Sequence, residues 1–315
     1  MNGIKCLVTG SNGFIGSYLV NFLIKKEFTV IGTAHKKNHK LTPMLDKITV
    51  YICDILDEEK LEEIIREVKP DFVFHLAAQS SIPRSWQEPK KTLQTNILGT
   101  LYLLESIRKA NIDPLIEVAC SSAEYGFINE GEAPIKEGCE FKPLNPYAVS
   151  KVGQDMLAYL YWQAYKMRII RFRPFYIIGP GKTFDAPSDF ARGIVEVERG
   201  QRRVLLVGNL ESVRDVVDVR DCVKAMWLLA ERGEPGEVYN ICSGKGYKMR
   251  EILEVMLSFS RNKIEIRQDP TKMRDIDEPI LVGDNSRLRK IGWEPEIPLK
   301  KTLHDILDFW RKRRV

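Results

Sequence analysis

No two of the six cysteines (Cys6, Cys53, Cys120, Cys139, Cys222, Cys242) stand at C-x-x-C spacing. That excludes a zinc ribbon or a dithiol redox pair and reads as reduced, mostly buried thiols. Histidine is scarce: His35, His39, His75 and His304 are the only four, none paired at ligand spacing. No metal site is therefore expected, and His75 reads as a packing or capping residue at a strand end. No apolar run approaches the length of about 18 residues that spans a membrane. The first residues run into a glycine loop too soon for a signal peptide, so a cytoplasmic protein is expected, with no membrane or nucleic-acid partner. Charge of one sign is also scarce. The formal net charge is +5 over 315 residues, and part of it sits in Arg311-Lys312-Arg313-Arg314, which reads as a solvated helix end. A modest positive balance suits a phosphorylated substrate. There is no internal repeat and no low-complexity segment.

What is present is an ordinary globular composition, 44% hydrophobic and 29% charged, enough to bury a full core. In the first half, short β-branched runs alternate with amphipathic stretches. Strands are predicted at 4–9, 29–33, 48–52, 71–76 and 115–120, and helices at 16–25, 58–68 and 92–109. Leu61, Ile64, Ile65 and Val68 fall at helical spacing, and Pro70 closes that helix. The alternation predicts an α/β fold, a doubly wound parallel sheet covered on both faces. Residues 92–107 and 152–165 look too apolar for solvent, so their outer faces are candidates for a homodimer contact, while burial against the chain's own sheet explains part of the pattern. Past Arg173-Pro174 the pattern loosens. The expected division is a dinucleotide-binding domain over 1–174 plus about 212–243, and a smaller α/β substrate lobe over about 175–211 plus 244–315.

Thr9-Gly10-Ser11-Asn12-Gly13-Phe14-Ile15-Gly16 follows the first strand and opens the first helix. The spacing G-x-x-G-x-x-G allows a tight turn, close approach of backbone to a pyrophosphate, and close packing of helix on strand. The candidate cofactor residues are Gly10, Asn12, Gly13, Phe14, Ile15 and Gly16. The second strand ends in Thr33-Ala34-His35-Lys36-Lys37, without the acid that would bond the ribose 2′-hydroxyl of NAD. His35 and Lys36 instead favour the 2′-phosphate of NADP(H) over NAD(H). Asp54 and Ile55 could meet the adenine, and Leu76, Ala77 and Ala78 could line the cofactor's path, since open sheets bind ligands at the carboxyl ends of their strands.

Tyr147 and Lys151 lie four residues apart on a predicted helix, hence on one face. A phenol is a poor acid or base at neutrality until a neighbouring ammonium and the nicotinamide's positive charge favour phenolate; Lys151 supplies the ammonium's field and can also hold ribose hydroxyls. Ser121, at the end of the preceding strand, can hydrogen-bond the same substrate oxygen. Ser121, Tyr147 and Lys151 are the catalytic candidates.

The glycine loop, Asp54, His75-Leu76-Ala77-Ala78, Asn96, Ser121, the Tyr147/Lys151 pair and Arg173-Pro174-Phe175 together resemble the extended short-chain dehydrogenase/reductase family, over nearly the whole chain. The segments starting at His75, Gly208, Asn240 and Gly292 are most similar to GDP-4-keto-6-deoxy-D-mannose reductases that form GDP-D-rhamnose, and next to GDP-mannose 4,6-dehydratases. The resemblance implies a Rossmann-type fold, a Ser/Tyr/Lys triad, a bound nicotinamide, a GDP-linked sugar substrate and a homodimer or homotetramer. It also implies substrate contacts from Ser81, Ser122, Glu124, Tyr176, Asn209, Arg214 and Arg274, the two arginines on the diphosphate. Tyr176 stands where the resembled enzymes usually carry asparagine, and Met273-Arg274-Asp275 replaces their Arg-Pro pair.

One departure bears on the reaction. The resembled dehydratases keep an eliminating glutamate two residues after the catalytic hydroxyl, and that place is Ala123 here. Glu124, one residue on, would point to the other side of an extended backbone and reads as a structural or polar neighbour. The expectation is reduction of a C4 ketone on a nucleotide-linked 6-deoxysugar, with a 4,6-dehydratase, a 4-epimerase or a non-catalytic nucleotide-binding regulator as alternatives.

Overall fold

A computed structural model describes residues 3–36, 39–44, 46–128, 130–273 and 278–313. In chain order the regular elements begin with β1 (Lys5–Thr9), α1 (Phe14–Lys25), β2 (Thr29–Ala34), β3 (Ile48–Ile52), α2 (Glu58–Val68) and β4 (Phe72–His75). They continue with α3 (Ile82–Gln87), α4 (Pro89–Leu93), α5 (Gly99–Lys109), β5 (Leu115–Ala119), α6 (Pro146–Tyr165) and β6 (Ile169–Pro174). Then come β7 (Tyr176–Ile178), α7 (Ala186–Glu198), β8 (Val204–Val207), β9 (Val213–Asp218), α8 (Val219–Arg232) and β10 (Val238–Ile241). The last are β11 (Gly246–Lys248), α9 (Met249–Leu257), β12 (Glu265–Gln268), β13 (Ile280–Leu281), α10 (Ser286–Lys290) and α11 (Leu299–Lys312).

The chain divides into two compact units, 1–126 with 140–174 and 223–239, and 127–139 with 175–222 and 240–315. Residues 127–139, 212–222 and 240–243, expected in the dinucleotide domain, group with the second unit. Backbone pairing accounts for the first two: Ile135 bonds Val282 and Asp284, and β9 lies between β11 and β13.

The main sheet runs β10-β6-β5-β4-β1-β2-β3. The ladders from β6 to β3 are all parallel. Order reverses between β1 and β4, so the loops after these two strands leave in opposite directions and open the crevice where such sheets take ligands. One face of the sheet buries Leu7, Val73, Ile116 and Val118 against Leu61, Ile64 and Ile65 of α2 and Leu103, Leu104 and Ile107 of α5. The local signals explain the helix ends. Asp57 caps α2 by accepting from Lys60 N at 3.1 Å, and Lys69 closes it in the left-handed region. Asn145 caps α6 through Ala148 N at 2.9 Å, and Pro146 takes its first position, so Tyr147 falls in the first turn.

The single helix predicted over 92–109 is broken by a π-helical turn at Gln94–Leu98. The Asn96 carboxamide within this turn accepts from Gln79 N at 2.8 Å and donates to Gln79 O and to Ser150 Oγ. The second unit builds its own core from Phe190, Ile194, Leu253, Met256, Leu303 and Leu307 on α7, α9 and α11. No disulfide joins the cysteines, of which only Cys139 is not buried. No helix among the described residues is long and apolar enough to cross a membrane.

Glu117 is an anomaly inside this sheet. It lies in register between Phe74 and Ile170, is 1% exposed, and neither carboxyl oxygen has a hydrogen-bond partner. Burial pushes its carboxyl well above the usual carboxylate range. The folded state therefore binds a proton that the unfolded chain releases above about pH 4.5, so this group costs stability increasingly as pH rises beyond that point. Glu117→Leu is expected to stabilise the protein by about 1–3 kcal/mol at pH 8 and by less at pH 5, measured by urea unfolding at both pH values; an equal or opposite effect at the two would contradict this reading.

Candidate active site

The crevice is organised by Thr9, the last residue of β1. Its hydroxyl oxygen accepts from Leu76 N and Ala77 N, both at 3.1 Å, so its single hydrogen goes to His75 Nδ1 at 2.8 Å. Thr100 Oγ1 spends its hydrogen on Asn96 O and therefore accepts from His75 Nε2 at 2.9 Å. The bonds fix one neutral tautomer. Burial, with Lys151's charge adding to it, lowers the His75 pKa to about 3. His75 is thus a buried bracket, with no call for a proton-transfer role.

This bracket holds the loop after β4 against the glycine loop. Gly10 has φ +67°, and a Cβ there would lie 2.9 Å from Ala77 Cα. A Cβ on Gly16 would come within 2.3 Å of Gly10 O. Both positions require glycine. Gly13 starts α1, which begins at Phe14 rather than Gly16, and no side chain caps it there. Bare backbone amides at a helix N-terminus fit a dinucleotide pyrophosphate. Asn12 Nδ2 donates to Lys36 O at 2.5 Å and ties the loop to the end of β2. There His35 and Lys36 are exposed, and His35 Nδ1 lies 3.1 Å from Asp54 Oδ2. This cationic end suits a 2′-phosphate. Ile55 is buried under Gly99, so its side chain packs in the core.

Ser121 follows β5, and Ser122–Glu124 then form a 3-10 turn rather than the extended run expected. Lys151 Nζ donates to Ala119 O and to Gln154 Oε1, each at 2.7 Å, and lies 6.0 Å from the Tyr147 ring centre. Burial lowers the Lys151 pKa to about 8, against the opposing pull of Cys120 and Glu124. Burial raises Tyr147 to about 12, and a hydrogen bond from Ser121 only partly offsets it. Tyr147 therefore starts protonated, the state a proton donor needs.

Glu124, expected among the substrate contacts, is fully buried. Its Oε1 accepts from Ser121 N at 2.7 Å and its Oε2 lies 3.2 Å from Arg173 Nε. Oε2 makes no hydrogen bond, and no part of the side chain reaches solvent. Ser122 is also buried, and Ser81 caps α3 through Arg84 N. In the second unit the Tyr176 hydroxyl accepts from Ala186 N, Asn209 Oδ1 accepts from Glu211 N, and Arg214 donates to Val213 O and Glu278 O. Arg274 lies outside the described residues. Sequence reasoning missed Thr9, Asp155 and the charge of Arg173. The one signal available was an Arg-x-Arg within the apolar strand Ile169-Ile170-Arg171-Phe172-Arg173, since charges in a doubly covered strand must be paired. Cys120, Glu124 and Asp155 bring a sulfur and two carboxyls within 4.8 Å of one another. Arg171 and Arg173 already serve both carboxyls, so a cation there would face two positive charges.

A glycine loop at the switch point of a doubly wound sheet, with Ser121, Tyr147 and Lys151 gathered beyond β5, defines an extended short-chain dehydrogenase/reductase, a nicotinamide-dependent oxidoreductase. A family model described as GDP-mannose 4,6 dehydratase matches residues 7–306, and the chain belongs to that family. The GDP-6-deoxy-D-mannose reductase of Pseudomonas aeruginosa is 35% identical over 312 residues, 98% of this chain and 98% of that protein. A GDP-mannose 4,6-dehydratase of Vibrio cholerae is 29% identical over 342 residues, 94% of this chain and 91% of that protein. The solved structure of RMD from Pseudomonas aeruginosa complexed with NADPH has a TM-score of 0.87 and 33% identity, covering 99% of this chain and 100% of that one.

The shifts set a pH dependence. Lys151 loses its charge above about 8 while Tyr147 keeps its proton up to about 12. For a reaction in which Tyr147 gives up its proton, kcat/KM is expected to be flat from pH 6 to 7 and to fall as pH rises through about 8. A pH–rate profile that rises through that range would contradict the assignment.

Proposed function

We propose that this protein is an NADPH-dependent reductase of a nucleotide-linked 4-keto-6-deoxyhexose, converting GDP-4-keto-6-deoxy-D-mannose to GDP-D-rhamnose. The observation that carries the reading is the turn after β5. Ala123 offers only a methyl group, and the neighbouring carboxyl, Glu124, is turned inward and spent on Ser121 N–H and Arg173. Dehydration needs a group to take the C5 proton and pass it toward the C6 oxygen, and neither residue is equipped for that.

When bound, the reduced nicotinamide supplies the hydride that makes the C4 carbonyl carbon a carbinol carbon. Tyr147 gives the C4 oxygen its proton and becomes phenolate. Lys151 compensates the new negative charge, and Ser121 holds the same oxygen in line for the transfer. Gly10, Gly13 and Gly16 would hold the pyrophosphate of the cofactor. His35 and Lys36 would take the 2′-phosphate, as suits a reductase drawing on NADPH. The second unit is the nucleotide-sugar-binding lobe, with Arg214 on the diphosphate and Tyr176 and Asn209 among the sugar contacts.

The working form is a homodimer through α6, which exposes Val149, Met156 and Leu160 at helical spacing. Leu160→Lys is expected to convert the dimer to monomer in light scattering after size exclusion; a wild-type monomer would end this part of the reading.

The reaction is tested with chemically prepared GDP-4-keto-6-deoxymannose. The wild type is expected to oxidise NADPH and form GDP-rhamnose, and Tyr147→Phe to lower kcat by roughly 10²–10⁴-fold with NADPH still bound. No NADPH consumption by the wild type, or an unimpaired Tyr147→Phe variant, would refute the proposal.

A further inference from the structure

We propose that Glu124 is a positioning residue, which fixes catalytic Ser121 and, through Arg173, sets its place relative to the helix that carries Tyr147 and Lys151. The proposal rests on the reductase reading for its substrate, and on geometry within the first unit for everything else.

Cys120 N bonds Phe172 O at 2.8 Å, and the next amide, Ser121 N–H, is taken by a side chain of the following turn. Glu124 Oε1 takes it at 2.7 Å, and Ser121 Oγ accepts from Ala123 N at 3.2 Å, a reciprocal capping box around a single turn. Ser121 also hydrogen-bonds the Tyr147 phenol, a contact that partly offsets the rise in the phenol's pKa. The place of the Ser121 side chain therefore follows from two bonds that Glu124 and its turn supply.

Behind the turn, Glu124 is anchored to the core. Arg173 Nε lies 3.2 Å from Glu124 Oε2 and 2.9 Å from Asp155 Oδ2, and Arg173 Nη1 donates to the Tyr125 hydroxyl at 2.9 Å. The guanidinium packs on the rings of Phe141 and Tyr125, 4.6 and 5.2 Å from their centres. Arg171 holds the other Asp155 oxygen at 2.8 Å. Asp155 belongs to α6, one turn beyond Lys151 and two beyond Tyr147, so Arg173 clamps the Ser121 turn to the helix of the proton donor. Such a buried network tolerates little displacement, because each broken bond leaves an unpaired polar group. Of the two carboxyls, Asp155 is held low: burial raises it, but both arginines outweigh that. Burial and the charge of Asp155 push Glu124 up. A neutral Glu124 still accepts from Ser121 N–H, so the carbonyl acceptor matters rather than the charge.

The test is a double-mutant cycle on the full-length protein with NADPH and the keto-sugar, using Glu124→Met, which keeps length and removes the acceptor. Glu124→Met is expected to lower kcat roughly 10–100-fold with sugar KM and NADPH Kd changed less than about twofold, and to add less than about threefold once Ser121→Ala is present. Glu124→Gln retains the acceptor and is expected to stay within about threefold of wild-type kcat. A kcat undiminished in Glu124→Met, full additivity with Ser121→Ala, or a folded Glu124→Gln as damaged as Glu124→Met would each overturn the proposal. Should Glu124→Met fail to fold, the Glu124→Gln value still decides it, since a loss beyond tenfold in that isostere is incompatible with the acceptor role. Failure of the reductase reading shows differently, as a wild type that leaves the ketone untouched; the cycle is then read on the nucleotide sugar that the wild type does turn over.

Discussion

Arg173 held between Glu124 and Asp155 is the constraint on which the reactive end of the first unit depends. It joins three separate parts of the chain: the turn after β5, strand β6 itself and helix α6. Each contributes a group that could not be buried alone, and together they leave little uncompensated charge in a region of low dielectric. The places of Ser121 and of the helix that carries Tyr147 and Lys151 are thus tied to a core feature.

On the opposite flank of the crevice the same logic works with neutral groups. Thr9, His75, Thr100 and Asn96 form a chain of bonds in which each hydrogen has one destination, from the end of β1 across β4 to the π-helical turn and on to Ser150 of α6. Both networks end on α6, one near Ser150 and the other at Asp155. The helix is therefore positioned at two levels, directly beside the first-turn tyrosine and below the lysine.

The sheet was legible because buried strands and amphipathic helices leave periodic traces; the strand at 48–52 and the helix at 58–68 are found where the apolar spacing and Pro70 put them. The glycine loop was legible because Gly10 and Gly16 have no alternative residue at their backbone positions. Three things were not. The break in the helix over 92–109 depends on Asn96 meeting Gln79 and Ser150, residues 17 and 54 positions away. The 3-10 turn at Ser122–Glu124 carries a carboxyl that meets Arg173, 49 residues further on. The phenol's rise to about 12 comes from desolvation, which no motif records. In each case local pattern met a long-range partner, and the partner won.

Reductases, dehydratases and epimerases share this scaffold, and the fold does not choose among them. The choice falls to a methyl group at position 123 and to a carboxyl at 124 that faces the core. The most direct measurement incubates the protein with GDP-mannose and NADP in deuterated water and follows the hexose by NMR. No deuterium at C5 and no 4-keto-6-deoxy product is the expected result; deuterium at C5 with loss of the C6 hydroxyl would show that an eliminating acid is at work and would contradict the account.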